Sequence, residues 1–321
     1  MRLLAFVIFL FAAAPALCHE TGMPHSHGGI KVVSTTGIVN DVVVNVGGGR
    51  VMAKSLMGSG IDPHLYRATA GDIRTLASAD IIFYHGLHLE GKISDVLEGM
   101  KRRGKNTVAV TRGIPRDMLI PAGGTSYDPH VWFDPRLWKF AVEAVAQALA
   151  AADPEGADYY AENARAYMAS LGKIDDYARA MARQVPPEKR IIITSHDAFG
   201  YFGRAYGFKV AALQGVSTVS EAAISDVLRV TGLIVKNRLP AIFTETSVSE
   251  RYIKSVREAA KRAGVKVAIG GKLYSDALGA RGSGHETLGG MFTHNVDVIC
   301  SSLSGRKVAG AGAETPAPSR F

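Results

Sequence analysis

Cysteine is scarce in this chain. Only Cys18 and Cys300 occur among 321 residues, so at most one pair can form and a disulfide-stapled scaffold is excluded. After the first twenty positions no apolar run is long enough for a membrane helix. No G-x-x-x-x-G-K-[ST] stretch occurs, which excludes a P-loop nucleotide hydrolase. His285-Glu286 lacks a second histidine at the H-E-x-x-H spacing. Ser195, His196 and Asp197 adjoin, but no G-x-S-x-G elbow surrounds the serine. A dense basic surface is missing too. The net charge is +8, yet Lys and Arg are spread thinly and only "KRRGK" (Lys101 to Lys105) is clustered, which reads as a solvated helix end rather than a nucleic-acid face.

The N-terminus has the order of an export leader: Met-Arg, the apolar "LLAFVIFLFAAAPAL", then the polar "CHETGMPHSHGG". We assign residues 1–18 as a signal peptide, with cleavage after Ala16 or Cys18, and expect a periplasmic or other extracytoplasmic location. Cys18 is a candidate lipid anchor, although Leu17 before it is bulkier than such a site favours. His19, His25 and His27 read as a flexible polar leader with weak metal-scavenging capacity. Residues 306–321, rich in Ala, Gly and Pro, have too little apolar material to pack and read as a disordered tail.

Between these ends, β-branched runs alternate with helix-period segments. "IKVVSTT", "VMAKSLM", "IIFYHG" and "TVAVTRG" form a first set of strands; "IIITSHD", "KVAAL", "AIFTET" and "VKVAIGG" form a second. The alternation predicts an α/β fold of two lobes, each a parallel sheet flanked by helices. Boundaries at 30–152 and 186–305 follow, with residues 153–185 as one long linking helix, since "PEGADYYAENARAYMASLGKIDDYARAMA" keeps helical spacing with a single interior glycine. Thr69 and Asp72 make a capping pattern for one helix, and Asp134-Pro135 an N-cap and first-turn proline for another.

Ligands of open α/β sheets sit beyond the carboxyl ends of the strands. Four groups fall there. The tripeptide Asp-Pro-His occurs twice, placing His64 and His130 behind a stiff dipeptide just ahead of helices. His196 closes "IIITSH", and Asp276 lies in the turn "GGKLYSDALG" after the last strand. Three imidazoles and a carboxylate, two from each half, suit Zn²⁺ and tolerate Mn²⁺. From the residues alone, the competing reading is four separate hydrogen-bonded core or loop groups. A rival function is a secreted zinc metallohydrolase, which needs an open coordination position and a nearby base. Among the remaining polar residues, Glu245 reads equally as an acceptor for a ligand imidazole or as a helix N-terminal carboxylate. Asp62 and Asp128 read as turn formers, His85 and His88 as lobe packing, and His294 as structural.

The motifs "DPHLYRATAGDIRTLASADIIFYHGLHLE", "DPHVWFDPRLW", "SHDAFGYFGRAYGF", "LQGVSTVSEA", "LPAIFTETS" and "GGKLYSDALG", in this order, resemble the zinc/manganese substrate-binding proteins of ABC metal importers, the TroA-like cluster A-I type. The resemblance runs from about Ile30 to Ser304. It implies two α/β lobes joined by a stiff helix, and a divalent metal held between them by His64, His130, His196 and Asp276. It further implies a monomeric, non-enzymatic receptor that delivers its cargo to a membrane permease driven by a separate ATPase. A glutamate at the third ligand position goes with manganese in that family; His196 stands there, favouring zinc or mixed zinc and manganese binding. The long His- and acid-rich loop of many zinc-dedicated members is replaced by the short "VTRGIPRDMLIPAGGTSYDPH".

Overall fold

The computed structural model describes residues 29–305. The leader, Cys18, the three N-terminal histidines and the tail assigned above lie outside the described residues.

The first half contains four strands, β1 (Ile30–Ser34), β2 (Val51–Ser55), β3 (Ile81–Tyr84) and β4 (Asn106–Ala109), in the order β2-β1-β3-β4 with every pairing parallel. Strand periodicity sets which side chains meet which layer. Val32, Ile81 and Phe83 face the large core shared with the long helices, whereas Val33 and Ile82 face a smaller one with Leu76, Leu97 and Met100. That smaller core is closed by α2 (Ala70–Ser78) and α3 (Ser94–Arg102). Helix α2 starts on a complete capping box between Thr69 and Asp72. The "KRRGK" cluster sits at the exposed end of α3.

Helix α1 (Gly37–Gly47) has a valine-rich sequence, IVNDVVVNV, that composition alone would place in a strand. Its buried apolar residues are Ile38, Val39, Val42, Val43 and Val46, the spacing of one helical face, and burial of that face against the core overrides propensity. The second helix over this core, α4 (Pro135–Ala152), begins where the Asp134 side chain accepts from Arg136 N and Pro135 occupies the first turn.

The long helix α5 (Ala157–Ala182) follows a short 3₁₀ turn, Pro154–Gly156. It packs against α1 and α4 in the first half and against α9 (Leu288–Ser304) in the second. Ala164, Leu171, Ala178 and Met181 of α5 lie in one continuous core with residues of both halves, so the connector is embedded along its length. A hinge at its middle would have to break that packing.

The second half holds β5 (Ile191–His196), α6 (Gly200–Tyr206), β6 (Lys209–Gln214), α7 (Ile224–Asn237), β7 (Ala241–Glu245), α8 (Arg251–Arg262) and β8 (Ala268–Leu273) before α9. Its strands form two parallel pairs, β5 with β6 and β7 with β8, with β5 and β7 side by side. Among the described residues no strand ladder joins β5 to β7, and at the end nearest the site a side chain bridges them. There the backbone N–H groups of Ser195 and His196 donate to the Glu245 side chain, at 2.8 and 3.0 Å, instead of to a neighbouring strand. Among the described residues, no helix is long and apolar enough to cross a membrane.

Candidate metal centre

The carboxyl ends of the strands in both halves converge, and the two Asp-Pro-His turns meet there. In the first turn the His64 N–H donates to Asp62 Oδ1 at 2.8 Å; in the second the His130 N–H donates to Asp128 Oδ1 at 2.9 Å. Each aspartate thus closes a tight turn on the backbone of the histidine two residues on, while the proline between them restricts the chain. His196 is the last residue of β5, and Asp276 follows β8 in a fully buried turn.

These four side chains are all buried, and one ligand atom from each lies within 4.8 Å of the others. The imidazole centroids form a near-equilateral triangle: His64 to His130 5.5 Å, His64 to His196 5.9 Å, His130 to His196 5.2 Å. Asp276 faces all three. Its Oδ1 is 3.2 Å from His130 Nε2, and its Oδ2 is 3.1 Å from His196 Nε2 and 3.9 Å from His64 Nε2. Ligand atoms about 2.0 Å from a tetrahedral Zn²⁺ would be about 3.3 Å apart, so these separations are those of a coordination sphere. Among the described residues, none of the three Nε2 atoms and neither Asp276 oxygen has a partner in hydrogen-bond geometry. Buried polar atoms in this condition cost stability unless something satisfies them together. The donor set fits one divalent ion.

The supporting residues differ from one candidate ligand to the next. Asp128 Oδ1 also lies 2.7 Å from His130 Nδ1, and Glu245 Oε2 lies 2.5 Å from His196 Nδ1. A carboxylate on Nδ1 fixes the tautomer that leaves Nε2 free to ligate and makes the ring more basic. Glu245 therefore sits against the His196 ring as a close charged contact, its Oε2 facing Nδ1 outside hydrogen-bond geometry; α8 starts six residues later at Arg251, so it caps no helix. His64 has no such carboxylate on its ring.

The charges follow from this. Burial opposes protonation of His130, but Asp128 and Asp276 outweigh it and lift its pKa to about 9. Burial likewise opposes protonation of His196, and Asp276 and Glu245 raise it well above the usual histidine range. Asp276 is disfavoured as an anion by burial, yet His196 and His130 hold it well below the usual carboxylate range. At His64 burial dominates, and its pKa falls to about 3. These shifts favour an anionic Asp276 beside protonated His130 and His196.

The other polar residues noted in the sequence lie apart from this cluster. His85 is fully buried, stacked on Trp138 with centroids 5.6 Å apart and planes 14° apart, and its Nε2 lies 2.6 Å from Pro129 O. His88 is exposed, in a turn where it takes φ 62°. The His285 and His294 rings meet at a tilt, centroids 4.5 Å and planes 59° apart, beside Tyr274, and His294 Nε2 lies 3.0 Å from Lys272 O. Trp132 was not distinguished by the sequence from an ordinary core aromatic; it sits 5.3 Å from the His130 ring.

Comparison with known proteins agrees with this arrangement. Residues 32–301 match the family model described as zinc-uptake complex component A, periplasmic. The chain belongs to that family. Its members are metal-binding solute receptors of transport systems rather than enzymes. The "Manganese-binding lipoprotein MntA" of Bacillus subtilis is 42% identical over 94% of this chain and 98% of its own length. The "Zinc-binding protein TroA" of Treponema pallidum is 42% identical over 91% of this chain and 97% of its own. A solved structure of the periplasmic zinc-binding protein TroA from Treponema pallidum superposes with a TM-score of 0.84 at 44% identity, covering 86% of this chain and 99% of the other. Two parallel-sheeted lobes with a long connecting helix are thus the architecture of this family member.

Proposed function

We propose that this protein captures one Zn²⁺ or Mn²⁺ ion through His64, His130, His196 and Asp276 and delivers it to an ABC importer, a membrane permease with its own ATPase. The observation that carries this reading is the convergence of four buried ligand atoms within 4.8 Å, drawn two from each half of the chain. Four protein donors complete a tetrahedral shell and leave no position for a catalytic water, which argues against the hydrolase alternative.

Overall similarity does not choose the metal, because the manganese-binding and the zinc-binding relative are equally identical to this chain. The donor chemistry supports an order of affinity. Three imidazoles and one carboxylate bind Zn²⁺ above Mn²⁺ in the usual order of divalent affinities. We assign 30–152 and 186–305 to the two lobes and 153–185 to the link, residues 1–18 to an export leader, and a monomeric state to the mature chain. The embedded connector favours release through local movement of the turns carrying His196 and Asp276 over a wide opening of the lobes.

Competitive titration of metal-stripped protein with Zn²⁺ and Mn²⁺, with His196→Ala alongside, tests this. One ion per chain, zinc ahead of manganese, and a loss of at least roughly a hundredfold in the variant are expected. Binding indifferent to His196 overturns the assignment.

A further inference from the structure

The turns carrying His130 and Asp276 come from opposite halves of the chain, and one hydrogen bond joins them directly. Trp132, two residues after His130, donates its indole Nε1–H to the carbonyl of Ser275, one residue before Asp276, at 3.1 Å. Trp132 and Ser275 are both completely buried. Water has no access to replace this bond, and a buried carbonyl deprived of its donor carries the full desolvation cost.

The indole is itself held. The His85 ring meets it edge-to-face, centroids 5.0 Å apart and planes 89° apart, and His85 in turn stacks on Trp138. His85 Nε2 also contacts Pro129 O, the residue immediately before His130, at 2.6 Å. Burial lowers the His85 pKa to about 3, so the ring is neutral and an Nε2–H can donate to that carbonyl. One buried aromatic cluster therefore braces the His130 turn on its near side and reaches the Asp276 turn on its far side. On the other side of the Asp276 turn, the Ser275 hydroxyl pairs with Ser247 Oγ at 3.0 Å, which fixes Ser275 within its own half. The indole bond links the Asp276 turn itself to the His130 turn, while the Tyr201 hydroxyl of the same half bonds separately to Asp128 O.

We propose that Trp132 is a positioning residue for metal binding: its indole N–H sets Asp276 in register with the three imidazoles. The inference rests on the metal-site reading above. Asp276 contacts all three ligand rings and lies next to the accepting carbonyl, so a displacement at Ser275 is transmitted to the carboxylate first.

A double-mutant cycle on the full chain tests this, with Zn²⁺ affinity measured by chelator competition for the wild type, Trp132→Phe, Asp276→Ala and the double variant. Phenylalanine keeps most of the ring and loses the donor. Trp132→Phe is expected to weaken Zn²⁺ binding on the order of tenfold, and less than about twofold when Asp276 is already Ala, because the positioned group is gone. Tyr160→Phe, which loses the hydroxyl bond to Asp153 in the same core and whose ring contact is Tyr159 rather than the Trp132 cluster, is the control for general destabilisation and is expected to leave affinity unchanged. An equal tenfold loss in both Asp276 backgrounds, an equal loss in Tyr160→Phe, or no loss at all overturns the role of Trp132. If Asp276→Ala itself binds Zn²⁺ like the wild type, the metal-site reading falls instead.

Discussion

At the first Asp-Pro-His turn, Asp62 gives one oxygen to the His64 backbone and the other to Thr218 Oγ1 across the cleft, at 2.6 Å. At the second turn, Asp128 gives a single oxygen to both the backbone and the ring of His130. Their surroundings explain the divergence. The first turn lies at the rim, with Ile61 and Leu65 exposed on either side of it. The second lies under α6, where the Tyr201 hydroxyl donates to Asp128 O at 2.9 Å. Gly200 lets that helix approach, since a Cβ there would meet Asp128 Oδ2 at 2.8 Å. The result is two ligands of opposite character from one tripeptide: His64 neutral above about pH 3, and His130 protonated up to about pH 9. A repeated motif fixes the backbone of the histidine; what the aspartate's spare capacity meets decides the ring.

The largest effect that would separate the turns is the pH dependence. Below about 9 a metal has to displace the Nε2 proton of His130, whereas His64 has no proton to lose above about 3. Affinity therefore rises with pH through the range below about 9, and the raised His196 adds a second displaced proton to the rise. Each displaced proton changes apparent affinity about tenfold per pH unit, so moving from pH 8 to pH 5 should weaken Zn²⁺ binding roughly a thousandfold for His130 alone. Chelator competition across that range checks it, and a flat profile would contradict the charge assignment.

Asp128→Asn should come next, costing about 10–100-fold in Zn²⁺ affinity at pH 8, the usual penalty for losing the carboxylate behind a ligand histidine. The same change removes one of the two charges that raise His130, so its pH profile should be shallower than the wild type's, and the two curves should approach one another in acid. Asp62→Asn should leave the slope intact. Parallel curves for Asp128→Asn and the wild type would mean that Asp128 only shapes its turn.

Much of this contrast was hidden in the sequence, while the layout of the fold was not. The eight runs read as strands in the sequence are the eight strands, because short β-branched or continuously apolar runs bounded by turn residues are written in the residues themselves, β5 and β7 being buried at every position. Helix α1 was not legible in the same way, since its valines carry strand propensity and only the facing core turns their spacing into a helical face. His64, His130, His196 and Asp276 stand out as polar groups at strand ends. What Asp62, Asp128, Glu245 and Trp132 touch across the chain is decided by segments 49 to 156 positions away, and local pattern carries no trace of such contacts.

The smallest effect expected is at the rim. Thr218→Val removes the donor to Asp62 Oδ2 and keeps the shape of the side chain. Asp62 is partly exposed, so water can take the place of the hydroxyl, and the backbone bond to His64 is left in place. A hydrogen bond replaced in this way is worth little net, and a loss of about two- to fivefold in Zn²⁺ affinity is expected, against the 10–100-fold at Asp128. The pH profile should be unchanged, because His64 has no proton to lose in the working range. Stopped-flow release into excess chelator gives the sharper reading: the bond spans the cleft, so its loss should appear as faster release at an unaltered rate of capture. If Thr218→Val instead matches Asp128→Asn, the first turn depends on its cross-cleft bond as strongly as the second depends on its buried carboxylate, and the distinction between rim and interior is lost.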